Sequence, residues 1–169
     1  MKRLIAAVLL LALPLTGCAS KKEEQTLTPE ARTLLYENAI SAARDAETNQ
    51  YQPILTSAED DDAELIFSLL GVSAEDMSAF ALSVSPMNVK AYAVAAVYPA
   101  AGKEDTVSEG LRTFQDNQKQ SFEHYLPDQY EIANNARLET LEDGTILLVM
   151  SKDQDPIFDS IRDAIEQGE

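Results

Sequence analysis

Along the chain the hydrophobic positions change period several times, and each change marks an element. Leu4 to Leu13 is an unbroken apolar run of ten residues, about half the length needed to span a bilayer as a helix. From Thr28 the period becomes helical. Thr28 and Pro29 suit an N-cap and a first-turn proline, and Glu30 suits the helix dipole. Ala31, Leu35, Ala39, Ala42 and Ala46 then predict one buried face, widened by Leu34 and Ile40. Asn49 to Ser57 reads as a loop broken by Pro53. A short apolar helix is predicted from Leu65 to Leu70, stopped by Gly71. Ser73 and Asp76 have the spacing of a capping box for one further turn.

Period two follows. Phe80, Leu82 and Val84 alternate with Ala81, Ser83 and Ser85, as in a strand. Beyond Ser85 to Asn88, the run Lys90 to Tyr98 predicts its partner, with Tyr92, Val94, Ala96 and Tyr98 on one face. Ala91, Ala93, Ala95 and Val97 make the other face, small enough for a helix to approach closely. Thr106 and Glu109 have capping-box spacing ahead of the longest helix, whose stripe runs Val107, Leu111, Phe114, Gln118, Phe122 and Tyr125. Leu126-Pro127 should end it. Arg137 to Leu141 and Thr145 to Met150 predict a second hairpin around Asp143-Gly144. Asp155-Pro156 opens a last helix with Ile157, Phe158, Ile161, Ala164 and Ile165 on one face.

The predicted order is α–α–β–β–α–β–β–α. Its later part divides into two ββα units, Ser78 to Tyr125 and Asn134 to Gln167. Hairpins with helices on one side define an α+β fold: a four-stranded, mainly antiparallel sheet with helices packed on it, preceded by N-terminal helices. No Pro/Gly/Ser-rich linker cuts the region from residue 29 to 169, so it reads as a single domain.

Composition changes the picture mainly at the N-terminus. Lys2 and Arg3 precede the apolar run, and Leu15-Thr16-Gly17-Cys18 follows it. This arrangement resembles the bacterial lipobox: a branched apolar residue, two small residues, then a cysteine whose thiol takes a diacylglyceryl group. Cleavage is expected between Gly17 and Cys18, which makes residues 1–17 a signal peptide and 18–28 a lipidated cysteine with its tether. The other reading is an ordinary secretory signal or short anchor helix that happens to hold a cysteine. Charge, run length and box together favour lipidation. Two or three acyl chains would hold the protein to the cell membrane on its extracytoplasmic side, where a single chain gives only marginal binding. The ten residues Ala19 to Thr28 could reach about 35 Å when extended.

The chain carries 13 Lys+Arg against 29 Asp+Glu, a net charge of −16. Without Lys2 and Arg3 it has 11 basic and 29 acidic residues, or −18. Such a surface is repelled by anionic headgroups, so the domain should stand off the bilayer. The acid excess also excludes a phosphate-neutralising nucleic-acid binder. One cysteine and one histidine exclude an internal disulfide, a multi-thiolate metal site and a multi-histidine one.

From Leu65 to Ile165 the chain resembles a family of small bacterial lipoproteins known as domain of unknown function 4358. Three stretches carry the resemblance: Ser85-Pro86-Met87-Asn88-Val89, the run Ser121-Phe122-Glu123-His124-Tyr125-Leu126-Pro127-Asp128-Gln129-Tyr130-Glu131, and the strand Ile146-Leu147-Leu148-Val149. These are turns and helix ends, so the resemblance implies a fold and a location and transfers no activity.

Candidate chemistry is sparse. His124 is flanked by Ser121 and Glu123, but no nucleophile elbow or oxyanion donor set accompanies them. Glu59-Asp60-Asp61-Asp62 is a candidate cation cluster of hard oxygen ligands. It lacks the alternating ligands and central glycine of an EF-hand loop, and acids are favoured before a helix by the dipole alone. There is no GxGxxG and no P-loop, so no cofactor is expected. Tyr125, Pro127 and Tyr130 with Met87 and Asn88 form the best candidate recognition surface, though Pro127 and Asn88 also have turn roles. The expected function is a non-enzymatic, lipid-anchored binding or accessory module of the cell envelope, whose partner is another envelope protein or a small ligand. The alternatives are an envelope hydrolase using carboxylates or His124, and a small solute- or cation-binding lipoprotein. From Cys18 onward 152 residues remain, few for a two-lobed solute clamp.

Overall fold

The computed structural model describes residues 27–168. The signal peptide, the Gly17–Cys18 junction and nearly all of the tether lie outside the described residues. Two hairpins build the sheet. β1 (Met77–Val84) pairs with β2 (Ala93–Pro99), and β3 (Arg137–Thr140) pairs with β4 (Ile146–Met150). The second hairpin turns through Gly144, whose φ of 91° is open to glycine at no steric cost. The inner strands β2 and β4 join the hairpins, giving the order β1-β2-β4-β3 with every neighbour antiparallel. The α+β fold class expected from the pattern is the one observed.

Helices cover both faces of the sheet, not one. α1 (Pro29–Ala43) and α6 (Gln154–Gly168) share a core with Val94, Ala96, Leu147 and Val149. α3 (Ala63–Leu70) and α4 (Glu104–Phe122) pack on the other face, against Ala93, Ala95, Val97, Leu148 and Met150. The reason lies in the central strands. All five residues of β4 are buried, and β2 alternates apolar with apolar, so a single helical layer would leave an oily face in water.

Several helix ends follow the sequence closely. Thr28 accepts a hydrogen bond from the Ala31 N–H at 3.2 Å and caps α1. Gly71 ends α3 in the left-handed region at φ 69°. Both halves of the Ser73–Asp76 capping box form, around a 3-10 turn at Ala74–Asp76. In α6, Phe158, Ile161 and Ile165 are buried and Ile157 and Ala164 partly so.

Other expectations are corrected. The buried face of α1 is Arg32, Tyr36, Ala39 and Ile40, while Ala31 and Ala42 are exposed and Leu34 is 56% exposed. Tyr36 and Ile40 remove more apolar area from water than alanines can, and the Arg32 charge has a buried partner. The segment expected as loop begins with a short helix, α2 (Ala46–Tyr51), whose N-cap Asp45 accepts from the Thr48 N–H at 2.7 Å. Ala46 therefore belongs to α2. Downstream, Leu55 exchanges backbone hydrogen bonds with Leu82 at the β1 edge.

α4 starts at Glu104, so Thr106 lies inside the helix and the predicted capping box with Glu109 does not form. The turn through Gly102 (φ 77°), closed by Lys103 N–H to Ala100 O at 2.9 Å, delivers the chain to the helix early. Val107, Leu111, Phe114 and Phe122 are buried as expected, but the helix ends at Phe122 and Tyr125 is 70% exposed. Pro127 does more than stop a helix: it is the first residue of α5 (Pro127–Asn134), which packs on α4. α4 also crosses the end of α3 at backbone contact. A Cβ on Gly110 would sit 2.7 Å from the Gly71 carbonyl oxygen and 2.8 Å from that of Leu70, so glycine is required there despite its low helix propensity.

Candidate functional site

α1 carries a buried arginine near its start and another at its C-cap, and both reach the Tyr92–Tyr98 face of β2. At the start, Arg32 pairs with the Asp143 carboxylate in the β3–β4 turn and lies 4.0 Å above the Tyr98 ring. The Asp143 carboxylate also accepts from the Thr145 N–H and hydroxyl, and the Thr145 hydroxyl meets that of Tyr36. Burial pushes the Tyr36 phenol up to about 12, against the opposing pull of the Thr145 and Arg32 hydrogen bonds. This cluster ties α1 to the second hairpin.

Arg44 sits at the other end, and its surroundings differ. Its Nε and Nη2 donate to Asn49 Oδ1 at 3.0 and 2.7 Å. Its Nη1 donates to Ser83 Oγ at 2.7 Å, Tyr92 OH at 2.9 Å and the Gln52 carbonyl at 3.2 Å. The residue is 7% exposed. Every one of these partners is neutral, and among the described residues no carboxylate forms an ion pair with the guanidinium.

Beside Arg44 opens a pocket of about 300 Å³. Asp45 and Thr48 line it from the α1–α2 junction, and Lys90, Ala91 and Tyr92 from the segment entering β2. Gln129 and Ile132 come from α5, and Ser151, Lys152 and Asp153 from the passage of β4 into α6. Gln129 Oε1 accepts from the Ala91 N–H at 2.8 Å and pins α5 to the hairpin. The Lys90 ammonium lies 5.3 Å from the centre of the Tyr92 ring. Ser151 is buried, and its hydroxyl has no hydrogen-bond partner among the described residues. Asp45 is held below the usual carboxylate range, chiefly by the Thr48 backbone N–H and then by its hydroxyl. Three of the nine lysines and arginines among the described residues thus converge on one pocket. In a chain this acidic, that concentration sets the pocket apart.

A second, more open cavity of about 400 Å³ lies between the start of α1 and the β1 edge. Its only charged lining residues are Glu30 and Glu37. No lysine or arginine among the described residues lines it.

The residues singled out in the sequence lie elsewhere. Met87 and Asn88 are exposed in the β1–β2 connection, Tyr125 and Pro127 are exposed, and Tyr130 packs partly buried on the core. The two segments do converge, through Gln129 and Ala91, but it is Lys90, Ala91, Gln129 and Ile132 that line the pocket, not the five named residues. His124 is exposed, with its Nε2 3.7 Å from a Glu123 carboxylate oxygen, and Ser121 is exposed. Asp60 accepts from the Thr56 and Ser57 N–H groups at 3.2 Å each. Glu59, Asp61 and Asp62 are exposed, and no group of three or more acid, histidine or cysteine side chains among the described residues is arranged to hold a metal ion. Sequence reasoning passed over Arg44, Lys90, Ser151 and Lys152. The only available signal was the scarcity of basic residues, which makes each remaining one informative.

The fold and pocket together define a single-domain α+β protein with a small cleft of mixed polar and apolar lining at one end of its sheet. Residues 54–151, more than half of the chain, match the family model described as domain of unknown function (DUF4358). The chain belongs to that family. The match runs from the segment bridging to β1 through β4 and closes at Ser151, so Lys90, Gln129 and Ser151 lie within it and Arg44 outside. No curated protein and no solved structure matches the chain.

Proposed function

We propose that this protein is a lipid-anchored, extracytoplasmic module of the bacterial cell envelope that binds and does not catalyse. The observation that carries the reading is the lipobox Leu15-Thr16-Gly17-Cys18 behind Lys2, Arg3 and a ten-residue apolar run. Cys18 takes the diacylglyceryl group, the acyl chains anchor the protein to the membrane, and the tether holds the acidic domain clear of the headgroups. No helix among the described residues is long and apolar enough to cross a membrane. Binding is supported by the pocket at the end of the sheet, whose walls come from three helices and from the segments entering β2 and leaving β4.

Cell fractionation with mass spectrometry of the N-terminal peptide tests the anchor. The full chain should partition with membranes and yield a diacylglyceryl-modified peptide beginning at Cys18. Cys18→Ala should leave the signal peptide uncleaved and lose the modification. An unmodified N-terminus in the native protein would overturn the reading. Turnover of a cell-wall substrate that disappears with His124→Ala would overturn the non-catalytic part.

A further inference from the structure

We infer that the pocket between α1, β2, α5 and α6 is a recognition site for a small ligand carrying one oxyanion group, a carboxylate or a phosphoryl group, with Arg44 as its principal counter-charge. The inference rests on the reading of the domain as a binding module and is independent of the anchor. Four observations carry it.

First, Arg44 is buried as a cation but, among the described residues, bonded only to neutral acceptors. Desolvating a guanidinium is costly, and neutral hydrogen bonds satisfy its donors without neutralising its charge. An oxyanion arriving in the adjoining pocket supplies the missing opposite charge in a medium of low dielectric, where it counts most. Second, Lys90 and Lys152 reach the same pocket from two other segments, although acids outnumber bases more than two to one in the chain. Third, Ser151 places in the same wall a buried hydroxyl that has no partner among the described residues. Buried hydroxyls are otherwise almost always bonded, and a ligand oxygen is the acceptor this one lacks. Fourth, Asn49, Gln52, Ser83 and Tyr92 hold the guanidinium in place before any ligand arrives, so little side-chain ordering opposes binding. The fifteen-residue helix α6 also begins here, with the positive end of its dipole on the Ser151–Asp153 side.

Two carboxylates temper this field. Asp45 and Asp153 line the pocket with the three cations, leaving an excess of one positive charge. That balance selects one oxyanion group over a polyanion, and about 300 Å³ is at the small end of ligand pockets.

The test is an NMR titration of the isotope-labelled full chain in detergent micelles. Inorganic phosphate is one arm and propionate the other, with sodium chloride at matched ionic strength as the control. Saturable amide shifts at Ala91, Ser151, Lys152 and the first turn of α6, absent with chloride, are the expected result. Saturation with propionate alone identifies a carboxylate ligand, with phosphate alone a phosphoryl ligand, and with both the shared oxyanion chemistry. Arg44→Gln should abolish saturation. Lys152→Gln changes an exposed side chain and leaves the fold intact, so it keeps the test decisive if Arg44→Gln misfolds. It should raise the dissociation constant about five-fold, the equivalent of losing about 1 kcal/mol. The proposal is overturned if neither anion saturates, if shifts spread equally over all surface lysines, or if Lys152→Gln binds as tightly as the native chain. Those failures leave the anchor and the binding of a neutral or protein partner untouched, since fractionation and partner capture read them separately.

Discussion

Arg32 and Arg44 stand about 18 Å apart along α1, reach the same face of one strand, and each meets a tyrosine there. Arg32 lies over the ring of Tyr98 and is paired with Asp143, while Arg44 donates to the hydroxyl of Tyr92 and has no anionic partner among the described residues. At the Asp143 end the charge is neutralised internally by a buried carboxylate. At the Tyr92 end the charge is held in place by dipoles and a pocket adjoins it. The difference separates two uses of a buried cation. One joins a helix to a hairpin 111 residues away; the other keeps a positive potential available to something outside the fold.

The largest effect is expected where the charge is internally paired. Arg32→Met leaves the Asp143 carboxylate buried, with the Thr145 donors but without its cation, and should cost about 3 kcal/mol in chemical denaturation. Arg44→Gln removes a charge whose bonded neighbours are neutral: Ser83 still donates to the Gln52 carbonyl at 3.2 Å, while the Tyr92 hydroxyl and Asn49 Oδ1 lose their Arg44 donor. The same measurement should show a loss of about 1–2 kcal/mol. Equal or reversed costs would break the comparison.

A smaller, pH-dependent effect belongs to the Arg32 end. The Tyr36 phenol is raised from 10.0 to about 12 by burial, so the folded protein holds that proton where the unfolded chain has lost it. Its contribution is complete below pH 10 and falls away as the pH rises toward 12. Tyr36→Phe should flatten this alkaline loss in denaturation midpoints measured between those values.

The smallest effect is expected at a pair away from the pocket, where the buried Asp76 meets a Lys103 that is 44% exposed and screened by water. The Lys103 ammonium, then the Ser73 hydroxyl and N–H, hold the Asp76 carboxyl at about 2 instead of 3.8. Its stabilisation is present above pH 4 and disappears as the pH falls through 2. Asp76→Asn should therefore lower the thermal midpoint slightly at neutral pH, in a manner weakened by salt, and match the native chain near pH 2.

The elements most legible beforehand were those whose local pattern and final environment agree. The stripe of α6, both hairpins, the glycine ending α3 and the Ser73–Asp76 box each follow from short-range chemistry. The alternation from Tyr92 into β2 placed Tyr92, Val94, Ala96 and Tyr98 on one face, and they share the core with α1 and α6. α2 and α5 were missed because each is a turn or two long, too short for periodicity to register. The start of α4 shifted because the Gly102 turn, not a side-chain cap, sets the entry of the helix.

Sequence alone determined the order of the main elements and the pairing within each hairpin, because these depend on neighbours a few residues apart. It is also the whole basis for the proposed anchor at Cys18. Tertiary structure alone decided which face of α1 is buried and which basic residues gather at the pocket. Arg44, Lys90 and Ser151 belong to three separate segments and carry no common pattern. Whether a charge can be buried depends on partners brought to it by folding, and a linear pattern of hydrophobic and polar positions carries no record of them.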